Sequence, residues 1–594
     1  MGAFLLISKH CDSFNEKNAV EIIKQQCKTE PVKFELPPGW DLFLFKKTLV
    51  DAENFRKSGE KAIYATGMPY IYGKSYSDSL NYVFNKFNDN LAIPTISGQY
   101  FILFQKDGKL SFKTDPFGIY SVYHTSDGMI ISSSFLAIAE GLGKLCLDRD
   151  AIIENLLTGS IIGSDTVFKE IKRFEPEAPF DFGDISFLYE PKREHNTVQY
   201  KNRQESQNAQ IEALDNCFAG MAPIANEFGV DSGITGGYDS RLLLAMALRR
   251  FDVEKIQFHS HKRKTLDKDF ISGQEICKLK KLNFVNLPVK HVDDMDNKYI
   301  ENIFFESMLF CDGQVRTGTA WYDEFNTADY RIKVLKNKKL GLSGIGGEQY
   351  RNMEKYLYPK WNTDNWIYSD LLVKACGQKG AEAKTLKDVV FKISDKIEKR
   401  LKIKSKIDLS GIKKYMNYIY IPANRGLRGG YENRISFFLY PFADPDVSAA
   451  AMNAVKFLGL SMDYEAELIK RIDSELTRVV TSYGFNFSDG EPLSRVILHT
   501  VLKNYFPNKF SNRVKEFMFL RETDLWESLI HRFDSCSKSF LAVKRLELPI
   551  NLEYLIKRKN LGHLVFAMGF LLNRFYEKNK LFIYKDLRSL NISV

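Results

Sequence analysis

Phe228–Arg250 reads FGVDSGITGGYDSRLLLAMALRR. Its opening alternates well enough for a strand over Phe228–Ile234. The segment Thr235-Gly236-Gly237-Tyr238-Asp239-Ser240 makes a tight turn, and Arg241–Arg250 carries a dense Leu, Ala and Met run of helical character without a breaker. A strand, a glycine turn and a helix in that order aim backbone N–H groups and a helix N-terminus at an anion. The glycines permit the positive φ values and the close phosphate approach that such a turn needs. Asp239 and Ser240 stand where the helix should begin, so one can cap it and the other can face a metal or a phosphate. No lysine closes the loop, and the spacing is not that of a Walker P-loop. The plainer alternative is a strand-to-helix turn with a capping Asp.

Downstream, strand and helix patterns alternate: Lys255–His259 as a strand, Asp267–Leu282 as a helix, Phe284–Val289 as a strand. That alternation implies a parallel sheet covered by helices on both faces, with ligands beyond the carboxyl ends of the strands. A second glycine turn then appears in Lys339–Arg351, KLGLSGIGGEQYR, where an apolar strand runs into Ser343-Gly344-Ile345-Gly346-Gly347 and Glu348. Two strand ends that each bear glycines and a carboxylate can place Asp239 and Glu348 on one Mg²⁺, completed by nucleotide phosphates and water.

Bulk composition narrows the class. The chain's 594 residues favour two domains, and a hydrophobic fraction of 44% with 27% charged residues is that of an ordinary soluble protein. A formal net charge of +10 suits a phosphate-bearing ligand or an acidic partner, but the lysines are spread too evenly to argue for nucleic acid. Eight cysteines without a CxxC pair fit free thiols in a reducing cytoplasm. The opening MGAFLLISKHCDSF lacks a basic segment and a long apolar run, so it does not read as a signal peptide, and Leu6 stands where a myristoylation signal wants Ser or Thr. Leu564–Leu572 (LVFAMGFLL) is too short to span a bilayer and reads as a buried helix. The expected setting is cytoplasmic, with no membrane contact.

From Met1 to about Asn196 the chain reads as short strands: Ala3–Ser8, Trp40–Phe45, Tyr100–Gln105, Lys109–Thr114 and Met129–Ser133. Lys106-Asp107-Gly108 and Ser126-Asp127-Gly128 read as hairpin turns, and Ser77–Phe87 and Arg149–Leu157 as helices, which predicts a layered α+β domain. The polar stretch Asn196–Gln207 reads as an interdomain link into a helix over Ala209–Phe228.

Gly98-Gln99-Tyr100-Phe101, then Asp115–Tyr123 (DPFGIYSVY), then Leu157–Ser160 followed by Thr166–Ile171 resemble three segments of the glutaminase domain of asparagine synthetases, in the same order. The two glycine turns look like the "SGGxDS" and "SGxGxDE" motifs of the asparagine synthetase superfamily, which includes β-lactam synthetases and lasso peptide cyclases. Tyr440-Pro441-Phe442-Ala443-Asp444 resembles its "vPFlD", and Pro507, Arg513, Lys515 and Glu516 fall at the spacing of its "P…R.KE" segment.

The resemblance implies an α+β, Ntn-type glutaminase-like domain over 1–196. After it, over 197–594, would come an α/β parallel-sheet ATP-pyrophosphatase (PP-loop) domain with a helical C-terminal part. It further implies an ATP-dependent amide ligase of the amidotransferase type: ATP and a carboxylate give an acyl-adenylate and pyrophosphate, and ammonia or an amine displaces AMP. The implied nucleotide-binding residues are Thr235, Gly236, Gly237, Asp239, Ser240, Gly344, Gly346 and Gly347. Asp239 and Glu348 would hold Mg²⁺, and Lys515 would stabilise developing charge as the catalytic residue, its plain reading being an exposed lysine.

A working glutaminase of that family uses an N-terminal cysteine, exposed by removal of Met1, and here position 2 is Gly2, so the first domain is expected not to hydrolyse glutamine. Phe437 and Leu439 stand for a Glu and an Arg, Glu348 for an Asp, and Gln349 for an acidic residue, which puts an asparagine product in doubt. Free ammonia, an intramolecular amine, a small-molecule carboxylate and a peptide carboxylate all stay open, as do a homo-oligomer and a biosynthetic partner protein. The competing readings are a non-catalytic nucleotide-binding partner, which Gln349 favours, and another PP-loop enzyme such as an RNA thiolase or NAD synthetase. His259 and His261 sit on or just after a strand without a third ligand at zinc spacing, as near-core histidines do.

Overall fold

Strand β1 (Ala3–Ser8) is apolar at nearly every position because both of its faces are covered. Phe4 and Leu6 enter one core, Leu5 and Ile7 another. The computed structural model describes residues 2–88, 95–177, 182–188, 198–262, 267–290, 295–314, 326–352, 355–356, 361–372, 380–504, 525–557, 561–578 and 581–582. Further strands in the first part are β2 (Pro31–Leu36), β3 (Trp40–Phe45), β4 (Phe55–Ser58), β5 (Lys61–Gly67), β6 (Tyr100–Lys106) and β7 (Lys109–Thr114). They continue with β8 (Tyr123–Thr125), β9 (Ile130–Ser132), β10 (Leu145–Cys146), β11 (Ile171–Arg173) and β12 (Ile185–Phe187). Two sheets result, in the orders β11-β8-β9-β1-β3-β2 and β12-β7-β6-β5-β4. They face each other across an apolar layer in which Phe4 stacks on Phe101 with ring centroids 4.0 Å apart. Helices α1 (Glu16–Cys27) and α3 (Phe135–Gly141) cover the first sheet and α2 (Tyr76–Asn88) the second; α4 (Arg149–Thr158) follows. The expected hairpin at Asp107 and Gly108 is present, with φ of 50° and 73°.

The second part opens on α5 (Arg203–Phe228), and the expected boundary between residues 196 and 197 lies outside the described residues. Strand β13 (Val230–Gly233) is shorter than the expected Phe228–Ile234, because Phe228 ends α5 and Gly229 turns the chain at φ 69°. Then follow α6 (Tyr238–Arg250), β14 (Ile256–Lys262), α7 (Lys268–Leu279), β15 (Phe284–Pro288), α8 (Asn297–Phe310), α9 (Ala328–Leu335) and β16 (Leu340–Leu342). A small pair, β17 (Trp361–Asn362) with β18 (Lys406–Ile407), accompanies α10 (Thr363–Trp366), α11 (Ala383–Leu401) and α12 (Leu409–Tyr415). Finally α13 (Gly426–Ile435) leads to β19 (Phe437–Leu439), α14 (Pro445–Asn453) and α15 (Asp463–Ile472). The sheet runs β15-β14-β13-β16-β19, all neighbours parallel. Phe437 and Leu439 are buried in its edge strand. Leu564–Leu572 falls within a buried helix, Gly562–Glu577, and among the described residues no helix is long and apolar enough to cross a membrane.

The two parts share a polar joint. Asp312, just after α8, accepts from Ser134 Oγ at 2.7 Å and from the N–H groups of Phe135 and Leu136 at 2.6 and 3.1 Å, so it caps α3 from the other half. Arg434 of α13 donates to Phe310 O and Ser133 O and pairs with Asp312 at 3.3 Å. Gly2 lies beneath this joint. Its N–H donates to Phe45 O, and a Cβ added there would stand 2.8 Å from Arg434 O and 3.0 Å from Lys46 O. Both obstacles are backbone, so a side chain at position 2 requires the backbone to shift. Gly2→Ala is expected to cost about 1–3 kcal/mol through overpacking, read as a lower denaturation midpoint.

Candidate nucleotide and metal site

Parallel neighbours end at the same edge of a sheet. Val230 pairs in register with Leu340 and Ser232 with Leu342, so the two glycine turns leave adjacent strands side by side. They touch. A Cβ on Gly347 would stand 2.1 Å from Asp239 Oδ1, and one on Gly344 3.0 Å from Asp239 Cβ. Gly347 is therefore needed for close approach, and Gly346 for its φ of 99°. Thr235, Gly236, Gly237, Asp239, Ser240, Gly344, Gly346, Gly347 and Glu348 come together in this way, whereas Lys515, with Pro507, Arg513 and Glu516, lies outside the described residues.

Neither expected cap forms at α6. Its N-cap is Gly237 and no side chain caps it, because Asp239 turns toward the second glycine turn and Ser240 Oγ accepts from Thr235 N–H at 3.2 Å. Helix α6 thus presents its first-turn N–H groups without a side-chain cap, the arrangement that favours an anion. Inside the turn, Gly237 N–H donates to Thr235 Oγ1 at 3.2 Å and Gly236 N–H to Asp269 Oδ1 at 3.1 Å. A phosphate seated on Gly236 would displace the Asp269 carboxylate.

Sequence reasoning did not find Arg351, which dominates the electrostatics. Its Nη2 donates to Asp239 Oδ1 and Oδ2 at 2.7 and 2.9 Å, and its Nε lies 3.0 Å from Glu465 Oε2. Arg351 and Glu465 are buried while Asp239 is half-buried. The Asp239 carboxyl is raised to about 6, chiefly by burial and also by the neighbouring Glu348, against the downward pull of Arg351. Burial also holds the Glu465 carboxyl well above the usual carboxylate range, against the pull of Arg351. For Arg351, burial alone would lower the guanidinium, and Asp239 with Glu465 raises it instead. Glu348 is half-buried and accepts from Gly346 N–H at 3.2 Å.

The environment supports these groups from behind. Gln349 is buried, donates to Phe442 O at 2.8 Å and accepts from Asn417 Nδ2 at 2.9 Å. It ties the second turn to the Tyr440–Asp444 segment. Asp444 caps α14 by accepting from Asp446 N–H at 3.0 Å. On the other side, buried Arg241 donates to the carbonyls of Leu476, Val479 and Val480 and holds this strap against the first turn. Tyr238 stacks on Phe487 at 3.8 Å.

Asp239 and Glu348 are adjacent hard oxygen donors whose mutual repulsion a divalent cation would relieve. Arg351 uses two of the roughly four lone-pair positions on the Asp239 carboxylate. Among the described residues, no group of three or more His, Cys, Asp or Glu could hold a metal ion. The pair therefore fits a cation that brings phosphate and water oxygens with it, as magnesium does.

No protein-family model matches the chain, and no curated protein matches it. Among solved structures it is similar to glutamine-dependent NAD+ synthetase from Acinetobacter baumannii in complex with adenosine diphosphate, at 12% identity and a TM-score of 0.18. The match covers 45% of this chain and 53% of that one, about half the length of that protein.

Breaking the buried pair leaves Asp239 without its counter-charge. In EDTA, Arg351→Met is expected to cost about 3–5 kcal/mol at neutral pH. Removing Arg351 raises the Asp239 carboxyl further, so the deficit should grow as pH climbs above about 6, where wild-type Asp239 loses its proton and the variant keeps its own, and level off below that value. Denaturation midpoints on either side of that value check the sign.

Proposed function

We propose that the chain is an ATP-dependent amide ligase that adenylates a carboxylate, releases pyrophosphate, and passes the acyl group to ammonia or an amine. The contact between Gly347 and Asp239 carries the reading, because it sets two glycine turns and two carboxylates on one edge of a parallel sheet. The order of segments that resemble the asparagine synthetase superfamily supports it, as does the layered, largely antiparallel part ahead of the parallel sheet, the arrangement expected of an Ntn-type domain.

In this reading the α6 N-terminus and the Thr235–Ser240 turn bind the triphosphate, and the carboxylate attacks the α-phosphorus so that pyrophosphate leaves along the turn. Mg²⁺ held by Asp239 and Glu348 would neutralise charge on the leaving pyrophosphate. Arg351 keeps Asp239 ionised and fixed, and Lys515 stabilises charge on the α-phosphate or the tetrahedral adduct. The packing at Gly2 supports a first domain that does not hydrolyse glutamine, so the nitrogen comes from free ammonia or from an amine on a small-molecule or peptide substrate. The second reading, a nucleotide-binding partner without catalysis, is favoured by one observation: Arg351 already neutralises Asp239.

Carboxylate-dependent ATP–pyrophosphate exchange, assayed with a panel of amino acids, peptides and sugar acids, separates the two. The ligase exchanges label with at least one member, and Asp239→Ala lowers the rate by about 10²-fold or more; ATP binding without exchange supports the second reading. Gly2→Cys is expected to release no ammonia from glutamine, because the backbone of Arg434 and Lys46 fills the space a nucleophile would need.

A further inference from the structure

We propose that Lys413 is a positioning residue for the metal half of the site, because both candidate metal ligands are tied to its ammonium. The inference rests on the nucleotide-and-magnesium part of the reading above and adds a residue to it. Lys413 Nζ donates to Glu348 O at 2.7 Å and also to Arg351 O. Glu348 is itself one candidate ligand. Arg351 fixes the other, since its Nη2 donates to both oxygens of Asp239. One ammonium thus reaches Glu348 through that residue's own backbone, and Asp239 through the backbone of its ion-pair partner.

The second turn needs such a tie. Gly347–Tyr350 is a 3-10 turn of four residues, entered through Gly346 at φ 99°. So short a helix has little internal ladder to hold it, and its last carbonyls find no partners within it. The glycines ahead of it add backbone freedom that folding must remove. The backbone bond that closes its end, from Arg351 N–H to Glu348 O, is long at 3.4 Å. Lys413 reaches the same carbonyl at a shorter distance and with a full positive charge, so its bond is the stronger of the two.

Lys413 belongs to an element that can serve as a fixed point. It lies on α12, whose first turn is capped by Asp408 accepting from Gly411 N–H at 2.8 Å. The helical run continues through Met416–Arg425, and there Asn417 donates to Gln349 Oε1 at 2.9 Å and to Ser448 Oγ at 3.1 Å. Residues four apart share a helix face, so Lys413 and Asn417 together grip Glu348, Gln349 and Arg351. Lys413 is 6% exposed. Taking an ammonium out of water costs free energy that an apolar side chain of similar length would not, unless its bonds compensate. Here those bonds go to the backbone of the two residues that set the charge around Asp239. Lys413 therefore acts through Glu348 and Arg351 and not on the nucleotide itself.

The test uses the full-length chain and reads ATP binding by calorimetry at a series of Mg²⁺ concentrations. Lys413→Met removes the ammonium and keeps most of the stem, whereas Lys413→Arg returns a charge and N–H donors. Groups that orient metal ligands are worth about 10-fold to 100-fold in metal affinity, so Lys413→Met should raise the Mg²⁺ concentration for half-maximal ATP binding by that factor. Lys413→Arg should recover at least about half of the loss on a logarithmic scale, and Gly2→Ala, whose added methyl meets Arg434 and Lys46 instead, should stay within about threefold of wild type.

A Lys413→Met chain whose Mg²⁺ demand matches wild type overturns the proposal. So does an equal rise in Gly2→Ala, which would mark the effect as general loosening of the fold. If Lys413→Met does not fold, Lys413→Gln, which keeps an N–H donor, takes its place under the same criteria. Wild-type ATP binding that does not respond to Mg²⁺ overturns the proposal together with the metal assignment. A Lys413→Met effect on Mg²⁺ demand in a chain that exchanges no pyrophosphate with any carboxylate supports the positioning role while refuting the ligase reading.

Discussion

Parallel pairing of β13 with β16 is the constraint from which the candidate site follows. Strands that run the same way deliver their next residues to the same edge, so a turn after Gly233 and a turn after Leu342 must share space. Sharing it brings like charges together, since Asp239 lies against the second turn and Glu348 belongs to that turn. Arg351 resolves the conflict. Its guanidinium satisfies both oxygens of Asp239 and faces Glu465. Arg351 thereby ties the end of the second turn to the start of α6 and to α15.

The supports behind the turns divide the labour. Gln349, Asn417 and Phe442 fix the second turn from within the core. Arg241 fixes the first from outside by gathering three carbonyls of the Leu476–Val480 strap. Each turn is thus anchored by side chains from elements distant in the chain.

Much of this was legible in sequence. The strand–turn–helix order, the second glycine turn, the hairpin at Asp107-Gly108 and the buried helix near Leu564 follow from periodicity and turn chemistry, and the structure has them within a few residues. Edge strand β4, FRKS, and helix α1, EKNAVEIIKQQC, were not singled out; both carry many charged or polar residues, and packing against neighbours decides their state. Arg351 was quoted with the second turn, but its partners Asp239 and Glu465 are distant in the chain, so no local pattern announces the pair. Gln349 reads in sequence only as a replaced acid, and its burial and its bonds to Phe442 and Asn417 come from contacts distant in the chain.

Asp312 capping α3 from 176 residues downstream has a consequence for how the protein is made. While the chain emerges from the ribosome, the N-terminal sheets exist before the groups that finish them: α3 waits for Asp312, and the floor under Gly2 waits for Arg434. Contacts of such long sequence separation are slow to form and leave apolar surface open meanwhile. The first third of the molecule is therefore completed late, and chaperone demand during synthesis should be set by the arrival of α13 rather than by the length of the nascent first domain.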